Sequence, residues 1–125
     1  MIDLAKELSE TFHERSRSSG VLEVEFRPSL KLSYFVGHFP QLPILPAVAI
    51  IDISQFFVGH LLRDENTLLS KMTNFRIKTP VQPGDQILIR VQQEAPLVFH
   101  VLWKSATDEK VFAELSLQVS LRANP

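Results

Sequence analysis

The sequence contains no cysteine, which excludes a disulfide framework, a thiolate nucleophile and a cysteine-based zinc site. Its formal net charge is −1, so it lacks the basic excess that is usual in nucleic-acid-binding proteins. Residues 1–6 lack the basic and then apolar pattern of a signal peptide. The apolar stretch 42–62 is interrupted by two prolines, an aspartate and a glutamine, unlike a membrane span. We therefore expect a cytoplasmic protein with no nucleic-acid or membrane partner.

The length of 125 residues suits one domain with a substantial core, and we predict a single domain over residues 1–125. No internal repeat or low-complexity tract divides the chain. Apolar residues at helical spacing predict a short amphipathic helix over 3–13, ending at His13. The polar, glycine-ended stretch 14–20 is typical of a loop.

Most of the remaining chain alternates apolar and polar side chains, which predicts β-strands. The first two alternations cover 21–27 and 30–34, and four more cover 69–78, 86–92, 97–104 and 111–122. Short connections favour antiparallel pairing, with one apolar and one polar face. Since one long apolar helix is available to cover the apolar face, the sequence predicts an α+β domain in which an antiparallel sheet curls around a central helix.

The long helix is predicted from Pro46 to about Leu62. Proline suits the first helical turn because its ring presets the backbone and it has no N–H to leave unbonded. The apolar residues that follow leave no polar side wide enough for a surface helix. Asp52, at the seventh position, is therefore expected to face the interior as a buried acid.

The segment before and within this helix carries a resemblance to a known family. Residues 37–46 read Gly-His-Phe-Pro-Gln-Leu-Pro-Ile-Leu-Pro, and Asp52 follows His38 by fourteen positions. This resembles the active-site segment of the hot-dog-fold β-hydroxyacyl-acyl carrier protein dehydratases of bacterial fatty acid synthesis. Residues 75–86 resemble the family's Phe-Arg-x-Pro-Val-x-Pro-Gly-Asp-Gln strand and turn. The aspartate and the leucine-rich loop also look like the aryl-polyene branch of this family. The resemblance implies a hot-dog fold.

The segment departs from the family pattern at three positions. Gln41 and Ala47 stand where the family has glycine, and Phe56 stands where it has glutamine, with Gln55 one place early. Alanine keeps the backbone N–H but adds a methyl group where close approach to a substrate is expected. The departures bear on activity more than on fold.

Dehydration of a 3-hydroxyacyl thioester needs a base, an acid and donors for the charge on the thioester carbonyl. The resemblance implies His38 as the base, and a neutral imidazole suits that role near neutral pH. It implies Asp52 as the acid, and burial among apolar side chains favours the protonated form that this role requires. The alternatives are a histidine that caps its loop and an aspartate bonded to nearby backbone or hydroxyl groups.

Because Pro46 has no N–H, the backbone N–H groups of Ala47 and Val48 are the first donors of the helix and form the candidate oxyanion hole. The substrate-binding candidates are Phe35, Phe39, Pro46, Gln55 and Phe56. For the aromatic residues among them, packing in the core is the alternative.

The resemblance also implies partners. Acyl chains reach this family on acyl carrier protein, an acidic protein, so we expect a local basic patch, with Arg76, Lys78 and Arg90 as candidates. Solvated strand faces would explain these three residues equally well. Open strand edges favour a homodimer, and the resemblance implies that His38 and Asp52 meet across its interface. The histidines are not paired at metal-ligand spacing, so we expect no metal, and the reaction needs no cofactor.

Two other functions stay open at this point. In a hot-dog thioesterase the Asp52 carboxylate would activate water and His38 would be incidental. A catalytically weak, acyl-binding partner subunit of a dehydratase is suggested by Gln41 and Ala47.

Overall fold

The computed structural model describes residues 3–35, 43–64 and 66–121. The helices in these ranges are α1 (Leu4–Leu8), a 3-10 turn (Ser33–Phe35) and α2 (Ala47–Leu62). The strands are β1 (Phe12–Ser18), β2 (Val21–Phe26), β3 (Thr67–Ile77), β4 (Ile87–Ala95), β5 (Val98–Ser105) and β6 (Val111–Leu121).

The strands form one sheet in the order β1-β2-β4-β5-β6-β3, and each neighbouring pair is antiparallel. The predicted antiparallel pairing is confirmed. Strands that follow one another along the chain do not always pair. β3 and β4 are consecutive, but β3 pairs with β6 at one edge of the sheet and β4 pairs with β2. The connection 78–86 therefore spans the sheet instead of closing a hairpin.

The apolar sheet face packs on α2. Alternate residues in the central parts of β4, β5 and β6 are buried, and Ala49, Ile50, Ile53 and Phe57 of α2 are buried in the same core. Each large apolar side chain removed from water contributes about 1.5–3 kcal/mol. Trp103 donates its indole N–H to Ser54 Oγ at 2.9 Å, which satisfies a polar pair inside this core. This is the expected α+β hot-dog fold, a central helix packed on an antiparallel sheet.

The start of α2 lies one residue later than predicted. Pro46 has extended backbone angles, φ −70° and ψ 159°, so it is the N-cap and Ala47 is the first helical residue. The end agrees with the prediction: Arg63 adopts the left-handed conformation at φ 55° and its N–H bonds the carbonyls of Gly59 and His60. At Gly59 a Cβ would lie 2.9 Å from Thr67 Oγ1, so a side chain there would push α2 away from β3.

The prediction for residues 3–20 is partly wrong. The helix ends at Leu8, and residues 12–18 form β1 where a helix end and a loop were predicted. β1 lies at the sheet edge with most side chains exposed, so its sequence shows no apolar alternation. His13 lies on this strand, with its Nε2 3.2 Å from Glu25 Oε2.

The alternation at 30–34 does not form a strand either. Residues 30–32 turn, and the 3-10 turn that follows buries Tyr34 and Phe35. Glu7 of α1 holds this turn by accepting hydrogen bonds from Ser33 N at 2.7 Å and Ser33 Oγ at 2.9 Å.

One side of α2 is not covered by the described part of the chain. Val48 is 56% exposed, and Asp52 is half-buried instead of fully buried as predicted. The sequence of α2 alone could not show this, because the uncovered side carries apolar residues besides Asp52, Gln55 and His60. Among the described residues, no helix is both long and apolar enough to cross a membrane.

Candidate functional site

A cavity of about 960 Å³ lies along the uncovered side of α2. α2 contributes Asp52, Gln55 and Phe56 to its wall, and Tyr34 lies beside Asp52. The other lining residues come from α1, β1 and the end of α2 with the start of β3: Leu4, Ala5, Glu14, Arg17, Gly59, His60, Arg63, Asp64 and Thr67. A carboxyl group on an otherwise apolar helix therefore faces a space large enough for a small ligand.

Asp52 accepts a hydrogen bond from the Tyr34 hydroxyl, with 2.9 Å between Tyr34 Oη and Asp52 Oδ2. Burial raises the pKa of Tyr34 above its ordinary value, and the neighbouring Asp52 carboxyl raises it further. The phenol therefore remains a neutral donor at physiological pH. In the described part of the chain no positively charged side chain bonds Asp52, so its hydrogen-bond donor there is neutral.

Gln55 and Phe56 form the next part of the wall. The Gln55 side-chain amide donates to the Thr67 carbonyl at 3.2 Å, tying α2 to the start of β3. The Phe56 ring stacks on His60, with ring centroids 6.2 Å apart, and meets Phe12 edge to face at 5.9 Å. Half-buried aromatic surface thus lines the cavity beyond Asp52.

Charged groups gather at the C-terminal end of α2. Arg17 donates to the carbonyls of His60 and Leu61, both at 3.1 Å, and to Glu14 Oε1 at 2.9 and 3.1 Å. The hydrogen bond from Arg17 is the main cause that holds the pKa of Glu14 below its usual value. Burial, and then the charge of Arg17, lower the pKa of His60. Arg17 therefore neutralises the carbonyl end of the helix dipole.

Two predicted site residues, His38 and Phe39, lie outside the described residues, as does Gln41. The structure therefore places Asp52, Gln55 and Phe56 on one wall but not the proposed base. Pro46, the N-cap, is half-buried, whereas Phe35 is 5% exposed and packs in the core away from the cavity lining.

The N–H groups of Ala47 and Val48 have no acceptor among the residues that the structure describes, whereas Ala49 N already donates to the Pro46 carbonyl at 3.0 Å. Both residues are exposed. The helix N-terminus thus presents two backbone donors one to two turns from Asp52.

The basic candidates are distributed over the outer face of the sheet. Arg90 and Arg76 lie on one cross-strand row, separated by Leu102 and Glu114. Lys78 lies just beyond β3, with its Nζ 3.7 Å from Glu114 Oε1. His100 also approaches Glu114, at 3.5 Å between Nε2 and Oε2. This face therefore carries both signs of charge.

Sequence reasoning missed Tyr34 and Arg17 as parts of the cavity. Tyr34 was assigned to a strand, although it is the single tyrosine of the chain and lies four residues before His38. Arg17 was assigned to a solvated loop, and no sequence signal links it to the end of α2, 43 residues away. Within the described ranges no three histidine, aspartate or glutamate side chains are grouped as a metal site would need.

Known proteins share both the sequence pattern and the fold. Residues 13–116 match the family model of the ApeI-like proteins, described as ApeI dehydratase. The 3-hydroxyacyl-acyl-carrier-protein dehydratase FabZ of Burkholderia thailandensis is 32% identical over 123 residues, covering 82% of this chain and 76% of that protein. The FabZ of Petrotoga mobilis is 31% identical over 101 residues, covering 75% of this chain and 73% of that protein.

Solved structures support the fold. The dehydratase heterocomplex ApeI:P from Xenorhabdus doucetiae matches with a TM-score of 0.74 at 22% identity, over 88% of this chain and 95% of that chain. The E. coli PaaI protein from the phenylacetic acid degradation operon matches with a TM-score of 0.70 at 12% identity, over 98% of this chain and 86% of that chain. At such identities these likenesses concern the fold alone, whereas the family model spans most of the sequence. The chain belongs to the ApeI-like family of hot-dog dehydratases.

Proposed function

We propose that the protein dehydrates a 3-hydroxyacyl thioester carried by acyl carrier protein to the trans-2-enoyl thioester, in fatty acid or polyene biosynthesis. The observation that carries the proposal is the carboxyl group of Asp52, which faces the cavity from an apolar helix, accepts a bond from a neutral phenol and follows His38 by fourteen residues.

In this mechanism His38 removes a proton from C2 of the substrate. The electrons of the C2–H bond form the C2–C3 double bond while the C3–O bond breaks. Asp52 gives its proton to the departing hydroxyl, which leaves as water. Solvent then returns the proton from His38 to Asp52, so the net reaction loses one water and needs no cofactor.

The N–H groups of Ala47 and Val48 would stabilise negative charge on the thioester oxygen, because the N-terminus of α2 adds its positive dipole end. Gln55, Phe56, Pro46 and Phe39 would contact the acyl chain, whereas Phe35, which packs in the core away from the cavity lining, would support that wall from behind. The half-buried Phe56 ring supports this assignment, since it lines the cavity beside Asp52.

Acyl carrier protein is the proposed partner, with Arg76, Lys78 and Arg90 as its contacts. Arg76 and Arg90 are exposed on the outer sheet face, which supports their accessibility. Lys78 already approaches Glu114. We therefore expect Arg76 and Arg90 to contribute more than Lys78 to the attraction for the acidic carrier protein.

The assembly proposed is a homodimer in which His38 of one subunit and Asp52 of the other serve one site. Its support is β3, which pairs on one side only among the described strands and exposes Leu68 by 48% and Ile77 by 45%. An unpaired edge with exposed apolar side chains is a template for pairing with another chain.

The test is incubation with a 3-hydroxyacyl thioester on acyl carrier protein and on coenzyme A. Dehydration makes a conjugated enoyl thioester with a new ultraviolet band, and hydrolysis liberates thiol. Enoyl product on the carrier protein supports the proposal. Thiol without enoyl product would identify a thioesterase, and acyl binding without turnover would identify an inactive partner subunit.

A further inference from the structure

In the described part of the chain, Tyr34 is the side chain that donates a hydrogen bond to Asp52. It is 9% exposed, and its hydroxyl donates to Asp52 Oδ2 at 2.9 Å. It also lines the cavity beside Asp52. A buried phenol whose bond points to one oxygen of a carboxyl group leaves the other oxygen for a different partner.

The backbone around Tyr34 is held by hydrogen bonds within the turn and to α1. Leu32 N donates to the Ser29 carbonyl and Phe35 N to the Leu32 carbonyl, both at 3.0 Å. Ser33 is bonded through its N–H and hydroxyl to Glu7 of α1. The phenol is therefore positioned by the 3-10 turn and α1 before any substrate binds.

We propose that Tyr34 is a positioning residue for Asp52, fixing the carboxyl group so that Oδ2 accepts the phenol hydrogen and Oδ1 carries the proton given to the substrate hydroxyl. The inference rests on the proposed dehydratase function and adds a residue to it. After proton transfer the same hydrogen bond stabilises the Asp52 carboxylate, so it lowers the free energy of the products of that step.

Other charged groups around the cavity do not replace this contact. Glu7 approaches Tyr34 from α1 and adds negative charge there. The remaining ionisable groups on the described cavity wall are Glu14 and Arg17 of β1, His60 of α2, and Arg63 and Asp64 after it. Tyr34→Phe alters none of these groups, so a change in the titration of Asp52 in that variant reports the lost hydrogen bond.

The experiment compares wild type with Tyr34→Phe, which keeps the ring in the core and removes only the hydroxyl. We expect kcat to fall about 10- to 100-fold, the usual effect of losing a hydrogen bond to a charged group, with little change in KM. Activity needs protonated Asp52 and declines as pH rises. Since the carboxylate loses a donor, that decline moves to higher pH.

Ser33→Ala is the matched control, because it removes the adjacent hydroxyl from the same turn and that hydroxyl bonds Glu7 instead of Asp52. We expect it to keep the wild-type pH profile. A Tyr34→Phe enzyme with a lower kcat but an unshifted profile would overturn the proposal, since packing alone would then account for the loss.

Carboxyl-selective ¹³C NMR separates this inference from the proposed function. The Asp52 signal is identified by its loss in Asp52→Asn, and its titration midpoint should rise in Tyr34→Phe and stay in place in Ser33→Ala. An unmoved midpoint overturns the positioning role even if the enzyme is active. Absence of enoyl product from the wild type overturns the dehydratase function instead, whatever the titration shows.

Discussion

At the residue scale, Asp52 is bonded by a neutral group. Its donor in the described part of the chain is the Tyr34 phenol, and no positively charged side chain bonds it there. Arg17 is instead engaged with Glu14 and the end of α2. His60 is eight residues beyond Asp52, about 12 Å along a helix axis. Asp52 therefore lies apart from Arg17 at the C-terminal end of α2.

We expect Asp52→Asn to abolish most dehydration while leaving the fold intact. Asparagine has nearly the same volume, and its carbonyl oxygen can still accept from Tyr34, but it cannot give a proton to the leaving hydroxyl. Turnover should fall about 10²- to 10⁴-fold, the usual contribution of a positioned acid, while the melting temperature stays level or rises. Rate and thermal unfolding are measured on the same preparation. Unchanged turnover would remove Asp52 from the mechanism.

At the element scale, the C-terminus of α2 is fixed by a side chain from a strand. Arg17 reaches from β1 to two carbonyls of α2 and keeps only 19% of its side chain exposed. Carbonyls at a helix end lack partners within the helix, so this contact joins the sheet edge to the helix that bears Asp52.

We expect Arg17→Met to lower the free energy of unfolding by about 1–3 kcal/mol, because methionine keeps the apolar stem but donates no hydrogen bond. The measurement is urea denaturation. Arg15→Met is the control: Arg15 lies on the same strand with its side chain 54% exposed and pairs with Glu25, at 3.3 Å. That variant should stay within about 0.5 kcal/mol of wild type. Equal losses in both would contradict the capping role.

We expect the free energy of unfolding to fall in mild acid because of His60. Burial and Arg17 lower its pKa in the folded protein below the ordinary 6.5, so the unfolded chain binds the proton more readily. The stabilisation is present above pH 6.5 and is lost as pH falls through the lowered folded-state value. Denaturation midpoints at pH 7 and pH 5 should therefore differ more in wild type than in His60→Gln. The same difference in both proteins would rule out His60 as the cause.

At the scale of the whole molecule, the position of β3 matters most. The strand lies beside β6 at an edge of the sheet and exposes Leu68 and Ile77. In the proposed homodimer a second copy pairs along this edge. In that proposal one chain supplies His38 and the other Asp52.

Mixing two inactive variants tests that arrangement. His38→Ala should lower turnover about 10²- to 10⁴-fold by removing the base. Subunit exchange with Asp52→Asn makes mixed dimers in which one site keeps both residues and the other keeps neither. Since random exchange makes half the dimers mixed, about a quarter of the wild-type activity should return. No recovery, with exchange verified by light scattering of tagged subunits, would contradict a shared site.

Local sequence determined much of this protein. Period-two alternation gave β2 and β4–β6 because each places one face on the core and one in solvent. Apolar residues and Pro46 predicted α2 to within one residue of its start. The resemblance of residues 37–46 with Asp52, and of residues 75–86, to known motifs led to the dehydratase family, and the family model confirms that assignment.

Other features were decided only by the tertiary structure. Apart from Phe12, β1 is polar on both sides, so pairing with β2 and not hydrophobic alternation makes it a strand. Residues 30–34 alternate like a strand, but the bonds of Ser33 to Glu7 and the burial of Tyr34 and Phe35 favour a 3-10 turn. The Tyr34–Asp52 and Arg17–α2 contacts join residues 18 and 43 or more positions apart. Sequence periodicity reports which face of an element is apolar, whereas such contacts depend on how the elements pack in three dimensions.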